Sequence, residues 1–435
     1  MTERDPDRPQ ASRRGFLTAT AGFAALAGAN LAPGAARALE TAQDAAAKAD
    51  IEPYWGEHQA GVVTPAQANT YIATFDLTTL KRGDVEALLR RWTEAAAALS
   101  EGRPVEIPGG GDYETQADPS DILGLSPSRL TVTFGFGLGL FEKDGADRYG
   151  LRARRPAAFV DLPHFPGDQL VAARTGGDLI VQACADNPQV VFHAVRQLAR
   201  LAYGVAQIRW VQAGFISDYG ANHTPRNLMG FKDGTGNPST SDPKEMDAVV
   251  WAGGEAPSWM RGGSYLVVRR ARIAIEHWDR MKIAFQEQTF GREKISGAPL
   301  GAKGEFDPID LDAKDAEGNP VVPENSHVRL AHQASLDGYR ILRRSYSYND
   351  GANFTAERWP PWRQGMEFDA GLIFIGYQRD LRSGFIKIFE KMARFDMMNQ
   401  FVTNTGGGHF ACPGGVAKGE FVGQGLFETA AQKET

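Results

Sequence analysis

The sequence has 435 residues and a formal net charge of −6, with an isoelectric point near 5.8. This charge balance excludes the strongly basic surface with which nucleic-acid-binding proteins neutralise phosphates. The chain has two cysteines, Cys184 and Cys412, which excludes a disulfide framework and a zinc site built from cysteine ligands.

The first 38 residues are predicted to be an export signal. Residues 12–17, SRRGFL, are a twin-arginine opening, residues 19–32 are a mildly apolar run, and residues 36–38, ARA, fit a cleavage site. The run is too short and too rich in glycine and alanine to cross a bilayer. We therefore predict a periplasmic or extracellular protein without a membrane span. The twin-arginine route carries folded proteins and favours those that take up a cofactor in the cytoplasm.

The first half of the remaining chain is predicted to follow the order β-α-β-β-α-β, after a linker and extended arm at residues 39–69. Apolar residues alternate with polar ones in the strands and recur about every 3.6 residues in the helices. Asp84 is positioned to cap the first helix, and Asp186, Asn187 and Pro188 lead into the second. The predicted strands are Tyr71–Leu77, Val132–Leu140, Leu179–Cys184 and Ile208–Val211.

The second half repeats this order. Residues 291–339 form an insertion, and a connection of that length is usually functional. We predict an α+β fold of two tandem ferredoxin-like halves with antiparallel sheets, at residues 70–222 and 223–425, and a tail at 426–435. The predicted elements are a strand at Tyr265–Arg269, a helix at Ile275–Phe285, strands at Arg340–Tyr348 and Leu372–Tyr377, a helix at Leu381–Met392 and a strand at His409–Cys412.

A glycine-rich stretch at Arg226–Pro238, RNLMGFKDGTGNP, presents the acid Asp233. Its glycines allow a tight turn and a close approach to a ligand, so Asp233 is a candidate proton shuttle against a planar cofactor. The alternative is an ordinary loop in which the acid makes an Asx-turn. The D-x-D-G-T loop of aspartyl-phosphate phosphatases is a third possibility, but its nucleophile position holds Phe231.

The insertion contains two histidines, His327 and His332, within the motif NSHVRLAH. They are five residues apart, whereas a helical zinc clamp needs a spacing of four, so a shared metal ion is not expected. Either histidine could be the single axial ligand of a heme iron, and Arg329 could reach a heme propionate. Elsewhere, His193 lies opposite the apolar positions of its helix and is predicted to face solvent, while the role of His409 stays open.

Arg343 and Arg344 are adjacent in a predicted strand, so alternation sends them to opposite faces of the sheet. On the partner strand, Leu372 and Phe374 share a face and would form an apolar wall. An arginine, an acid and an apolar wall over a metal cofactor suit the heterolysis of a peroxide, because the acid can move a proton between the two oxygens while the guanidinium stabilises the developing charge.

The motifs GFKDGTGNP, NSHVRLAH and ILRRSYSY, in this order, resemble the signatures of the dye-decolourising peroxidases, which are heme b enzymes built from two ferredoxin-like halves. The similarity continues in GGSYLVVRR, QTFGREKISGAPLG and GLIFIGYQRD and extends over about residues 60–420. The twin-arginine leader resembles that of the exported branch, the deferrochelatase/peroxidases that accompany a ferrous-iron uptake system.

The resemblance implies that heme b lies in the C-terminal half, with His327 as the proximal ligand, Asp233 as the distal acid and Arg344 as the distal arginine. The carboxylate partner of His327 would be Asp396, unless a nearby amide replaces it. Hydrogen peroxide and a bulky aromatic donor are the implied substrates, and a dimer is the implied assembly. Release of iron from heme with the porphyrin intact, or heme delivery without turnover, are the alternative functions.

Overall fold

The structure, a computed structural model, describes residues 50–105, 118–217, 224–356 and 364–428. The predicted export signal lies outside these ranges. Within them, no helix combines the length and the apolar character that crossing a membrane requires.

Nine antiparallel strands in the described residues form the sheet on which the molecule is built. Most are rich in β-branched and aromatic residues, which pack well on a pleated surface. The predicted α+β class with antiparallel strands is confirmed. The strands are β1 (Asn69–Leu77), β2 (Thr131–Phe136), β3 (Leu179–Ala185), β4 (Ala206–Phe215), β5 (Ser264–Ile273), β6 (Leu342–Arg343), β7 (Tyr346–Ala356), β8 (Gln364–Gln378) and β9 (Val402–Cys412).

The strands are arranged as two sheets that meet at both edges. The first half has the order β2-β3-β1-β4. The second half has the order β9-β5-β8-β7, and β6 also pairs with β8. The pairs Phe136↔Ala411 and Phe215↔Ser347 join the two sheets. The strands therefore close into a ring with one face toward the helices and the other toward the interior.

The two long helices of the first half pack on the outer face of the ring. The first long helix buries Val85, Leu88 and Trp92 at helical spacing, and the second begins after Asn187, whose side chain accepts hydrogen bonds from the N–H groups of Gln189 and Val190. The helices are α1 (Arg82–Ser100), α2 (Leu138–Phe141), α3 (Pro188–Leu201), α4 (Pro243–Val249), α5 (Ile275–Trp278), α6 (Ile283–Phe290), α7 (His327–Ala331), α8 (Lys387–Phe395) and α9 (Gln424–Phe427).

Several element boundaries differ from the prediction. Helix α1 begins before Asp84, which accepts a hydrogen bond from the Thr79 hydroxyl at 2.6 Å instead of capping the helix. The predicted helix Ile275–Phe285 is two helices, α5 and α6, and the predicted strand Arg340–Tyr348 is divided into β6 and β7. The predicted tail contributes to the core, since Leu426 and Phe427 in α9 are buried.

The extended arm predicted before β1 packs against the interior face of the ring. The Gln59 amide donates to the carbonyls of Phe134 and Pro413 at 3.0 and 2.8 Å. The Gln182 side chain of β3 donates to the Gly61 carbonyl at 3.1 Å, and the Thr133 hydroxyl of β2 donates to the Ala60 carbonyl at 2.6 Å. Because a buried main-chain group needs a partner, these side chains fix the path of the arm.

His193 is buried and does not face solvent, so the prediction for this residue was wrong. Its Nδ1 lies 2.7 Å from Asp121 Oδ1, and its Nε2 lies 3.4 Å from Asp118 Oδ2. The helical period correctly placed His193 away from the apolar stripe of α3, but the loop that carries Asp118 and Asp121 covers that side. Nδ1 is hydrogen-bonded to Asp121, whereas Nε2 lies near Asp118 without forming a hydrogen bond.

His409 of β9 is half-buried, and its Nε2 is a buried atom with no hydrogen-bond partner among the described residues. Its ring lies 5.2 Å from that of Phe159. Burial is the main reason that the pKa of His409 falls to about 4 from its ordinary value of 6.5. The folded protein therefore holds this imidazole neutral at pH values at which the unfolded chain binds a proton.

We expect acid to destabilise the fold through His409. Its contribution is fully present above pH 6.5 and decreases as the pH falls toward 4, by about 3 kcal/mol in all, because the unfolded chain gains a proton that the folded protein excludes. Urea unfolding of His409→Leu between these pH values should show a correspondingly smaller dependence on pH. Replacement of the exposed His164 by leucine is the control, and an unchanged slope for His409→Leu would contradict the prediction.

Candidate active site

The glycine-rich stretch forms a tight loop that presents Asp233. Gly230 and Gly234 have φ values of 85° and 127°, a backbone conformation that residues with a side chain rarely adopt. The N–H of Asp233 donates to the Pro225 carbonyl at 2.8 Å, and Arg226 and Lys232 form an isolated β-bridge. The carboxylate of Asp233 points away from this turn and accepts a hydrogen bond from Arg343 Nη1 at 2.8 Å.

The loop is tied to the insertion on both sides of Asp233. Glu305 forms an ion pair with Lys232 and accepts a hydrogen bond from the Thr235 hydroxyl at 2.9 Å. Burial acts to raise the pKa of Glu305, but hydrogen bonds from Lys232 and two threonines outweigh it and hold the pKa below its ordinary value. The insertion therefore helps to position the acid, as a functional connection would.

The arginine that contacts Asp233 is Arg343, and Arg344 lies elsewhere. Arg344 is buried, and its guanidinium donates to the Thr64 carbonyl and the Gln67 side chain of the arm. The two arginines do lie on opposite faces of the strand, as predicted, but the structure brings Arg343, not Arg344, to Asp233. Arg344 shares its face with Leu342 and Tyr346, which are buried in the ring interior.

Arg343 lies on the face of the sheet that carries Leu372 and Phe374. It is opposite Gly376 in the ladder between β6 and β8, and cross-strand partners share a face. Along β8, Leu372 and Phe374 are half-buried, whereas Ile373 and Ile375 between and beyond them are fully buried on the interior face. The predicted apolar wall is therefore present beside Arg343.

His327 begins helix α7 and is oriented by an acid. Its Nδ1 lies 2.7 Å from Asp396 Oδ2, and the Asp396 side chain is 3% exposed whereas that of His327 is 28% exposed. The other oxygen of Asp396 accepts a hydrogen bond from the Met398 N–H at 2.8 Å. Since the carboxylate fixes the proton on Nδ1, Nε2 is the free acceptor, which is the form of histidine that binds metals.

Aromatic rings connect the His327 side of the site with the Asp233 loop. The Phe290 ring lies 5.9 Å from His327 and stacks on Phe231 at 3.9 Å. Phe231 is two residues before Asp233 in the chain. Helix α8, which ends at Asp396, packs Ile388 and Met392 toward Phe374. The histidine, the acid and the apolar wall therefore border the same region.

Positive charge is concentrated near this region. Arg292 donates from Nη1 to the carbonyls of Gly297 and Glu305 at 2.7 and 2.9 Å. Burial is the main reason that the pKa of Arg292 lies below its ordinary value, and the charge of Arg343 lowers it further. The pKa of His332 is also lowered, first by burial and then by the charge of Arg292. Burial and the charge of Arg292 therefore both disfavour the protonated form of His332.

His332 and Arg329 have local structural contacts. His332 Nδ1 accepts a hydrogen bond from the Ala334 N–H at 3.2 Å, which caps the short turn Gln333–Ser335. Arg329 Nη1 donates to the carbonyls of Leu311 and Val322 at 2.7 and 3.0 Å, so this side chain holds the insertion together. A contact between Arg329 and a cofactor carboxylate remains a prediction.

Sequence reasoning missed Arg343 as the partner of Asp233. Alternation groups Arg344 with Leu342, Tyr346 and Tyr348, which bury large side chains, but it does not say which face of the strand borders the site. Asp396 was one of two alternatives, and the structure places its carboxylate, not an amide, on His327.

These residues form a site with two chemically different sides. On one side, a histidine fixed by a carboxylate presents Nε2 as a ligand for a transition metal. On the other, a carboxylate paired with a guanidinium can accept a proton and stabilise negative charge. The wall of Leu372 and Phe374 beside Arg343 is apolar, which suits a planar cofactor.

The comparisons with known proteins agree with this chemistry. Residues 59–216 match the family described as Dyp-type peroxidase, N-terminal, and residues 224–417 match Dyp-type peroxidase, C-terminal. The dye-decolorizing peroxidase of Thermobifida fusca (strain YX) is 37% identical over 456 residues, which cover 98% of this chain and 100% of the relative. The deferrochelatase of Escherichia coli (strain K12) is 37% identical over 394 residues, which cover 87% and 88% of the two chains.

Among solved structures, ferric DtpA from Streptomyces lividans is similar to this chain with a TM-score of 0.77 and 38% identity, covering 87% of this chain and 98% of that one. The matches extend over both halves of the sheet and over the residues of the site. The chain therefore belongs to the Dyp-type peroxidase family.

Proposed function

We propose that this peroxidase binds heme b and uses hydrogen peroxide to oxidise bulky aromatic donors. The observation that carries the proposal is the pairing of Asp233 with Arg343 at 2.8 Å, together with a histidine in the same region that Asp396 orients at 2.7 Å. One pair suits proton transfer and the other suits iron ligation.

The residues present fit heme. Nε2 of His327 is free to bind iron because Nδ1 is held by Asp396. Leu372 and Phe374 offer half-buried apolar side chains to a porphyrin face. Arg292 and Arg329 lie within the insertion and are cations that could compensate the charges of the two heme propionates. Each side chain also donates to main-chain carbonyls.

When bound, heme would supply the iron that reduces peroxide and then takes electrons from the donor. Asp233 would accept a proton from one oxygen of the peroxide and return it to the other oxygen, which would leave as water. Arg343 would stabilise the negative charge that develops on that leaving oxygen. The apolar wall keeps bulk water away and strengthens these electrostatic interactions.

Asp396 controls the electron density on His327. An asparagine at this position could keep its oxygen on the Met398 N–H only if its NH₂ group turned toward Nδ1 of His327. Nδ1 would then have to accept a hydrogen bond, so the ring proton of His327 would move to Nε2. We expect Asp396→Asn to weaken heme binding or peroxide reactivity by about 10- to 100-fold and to make the iron reduction potential more positive.

Spectroelectrochemical titration of the Asp396→Asn protein would measure this change. Asp380→Asn is the control, because that carboxylate pairs with Arg382 near the surface. An iron potential equal to the wild-type value would show that Asp396 does not influence the ligand.

The proposal as a whole is tested by reconstitution. Protein prepared without cofactor and titrated with hemin should develop a Soret band at one equivalent and then oxidise an anthraquinone dye when hydrogen peroxide is added. If hemin does not bind, or if it binds without peroxide-dependent oxidation, the peroxidase proposal is wrong, and the second outcome would favour heme delivery.

A second candidate function is the release of iron from heme with the porphyrin intact. It is favoured by the 37% identity to the Escherichia coli deferrochelatase. Incubation of the reduced holoprotein, followed by measurement of free iron and protoporphyrin, separates this activity from peroxide turnover. Equal amounts of both products would support it, whereas the recovery of intact heme would contradict it.

We further propose that the two halves, residues 70–222 and 223–425, are ferredoxin-like. The order β2-β3-β1-β4 in the first half and the corresponding order β7-β8-β5-β9 in the second support this assignment. Export by the twin-arginine route, a homodimer and contact with iron-uptake components are parts of the same proposal, and the leader motif SRRGFL supports the first of them.

A further inference from the structure

The side-chain amide of Asn237 pairs with the main chain of Arg343. Asn237 Nδ2 donates to the Arg343 carbonyl at 2.7 Å, and the Arg343 N–H donates to Asn237 Oδ1 at 3.1 Å. These two hydrogen bonds form a ring of the kind that a neighbouring strand would make. Asn237 therefore substitutes for a strand along one edge of Arg343.

Arg343 needs such a partner because β6 contains two residues. On its other edge, β6 meets β8, where the Arg344 N–H donates to the Ile375 carbonyl at 2.8 Å. Successive residues of a strand direct their N–H and C=O groups to opposite edges, so those of Arg343 point away from β8. Without Asn237, both groups would lose their partner and the position of Arg343 would be held from one side.

Asn237 and Asp233 belong to the same turn. The Asn237 N–H donates to the Gly234 carbonyl at 2.9 Å, and Gly234 has a φ of 127°. One loop thus holds Arg343 twice: Asn237 holds its main chain, and Asp233 holds its guanidinium. The direction of the guanidinium relative to the acid depends on both contacts.

We propose that Asn237 is a positioning residue, which acts on the reaction with peroxide by fixing Arg343 opposite Asp233. The inference rests on the proposed function, since it assigns the Asp233–Arg343 pair to that reaction. Displacement of a catalytic group by about 1 Å can cost a hundredfold in rate, so loss of this clamp should be measurable. A contribution of Asn237 to local stability alone would leave the reactivity of Arg343 unchanged.

The first measurement is hydrogen exchange at the Arg343 amide, which does not require a loaded enzyme. Asn237→Ala should accelerate exchange of this amide. Asn237→Asp should keep it protected, because a carboxylate still accepts from the N–H although it cannot donate to the carbonyl. Unchanged exchange in Asn237→Ala would overturn the clamp itself.

The second measurement is the stopped-flow rate of the absorbance change when holoprotein is mixed with hydrogen peroxide. Asn237→Ala should lower this rate about 10- to 100-fold and leave KM for the aromatic donor unchanged. Asn237→Asp should give an intermediate rate. Asn349→Ala is the control, because that amide oxygen bonds the Gly351 N–H in an exposed part of β7.

A double-mutant cycle decides whether Asn237 acts through Arg343. In an Arg343→Leu background, Asn237→Ala should change the peroxide rate by less than about twofold, because the group that it positions is absent. If the double variant reacted with peroxide more slowly by the product of the two single-variant factors, the positioning role would be overturned. If Arg343→Leu itself reacted at the wild-type rate, the assignment of Arg343 in the proposed function would be wrong, and the exchange measurement would still report on the clamp.

Discussion

An Asp233→Asn variant is expected to bind heme as the wild type does and to react with hydrogen peroxide about 10²- to 10⁴-fold more slowly. The amide has nearly the same size as the carboxylate and can still accept the hydrogen bond that Arg343 makes at 2.8 Å. It cannot take up a proton from peroxide. The substitution therefore removes the proposed proton transfer while it preserves the shape of the site.

The measurement is the second-order rate constant of the peroxide-induced Soret change, together with a hemin titration of each variant. Asp337→Asn is a suitable control, because it makes the same chemical change at an exposed acid that pairs with Lys387. Slow reaction with normal heme binding would support the role of Asp233. A wild-type rate in Asp233→Asn would show that another group moves the proton, and weaker heme binding would show that the residue has a structural role.

Much of the fold could be predicted because local patterns and tertiary packing agree. In β3, the run Leu179–Ala185 is fully buried on both faces, and in α1 the apolar residues recur at helical spacing. The patterns were weaker where a glycine interrupts a strand. Gly137 directly follows β2, and a Cβ there would lie 2.0 Å from the Gly177 carbonyl oxygen, so this close approach between segments distant in sequence requires glycine.

The site could be predicted in part for the same reason. Asp233 and His327 belong to short motifs whose composition indicates a turn and a ligand, and the structure brings them to one region. Alternation alone could not decide between Arg343 and Arg344. It places them on opposite faces, but the choice of face depends on the arm, whose Thr64 and Gln67 bond to Arg344 across more than 270 positions of sequence.

The misplacement of His193 has a related cause. The helical period describes which side of α3 faces the sheet, and His193 is correctly away from it. Asp118 and Asp121 reach the other side from a separate loop. A pattern of period 3.6 carries no information about such a loop, so burial by a second layer must be read from the tertiary structure.

The neighbouring arginines are expected to give opposite phenotypes when each is replaced by leucine. Arg343→Leu should slow the reaction with peroxide about 10²- to 10³-fold, because it removes the donor to the developing charge. Its effect on stability should stay within about 1 kcal/mol, since the ion pair with Asp233 is partly exposed. Arg344→Leu should instead lower the free energy of unfolding by about 3 kcal/mol, because the Thr64 carbonyl and the Gln67 side chain would be left buried without their partner.

Urea unfolding and stopped-flow mixing with peroxide, applied to the same two proteins, separate these effects. Arg344→Lys provides a further comparison, because it keeps the buried charge but loses the forked geometry that reaches both Thr64 and Gln67. If Arg344→Leu were stable but unreactive, and Arg343→Leu reacted normally, the interior arginine would be the one that acts on peroxide. The contact between Arg343 and Asp233 would then be an ion pair of the loop, and the face of the sheet that binds the cofactor would have to be reassigned.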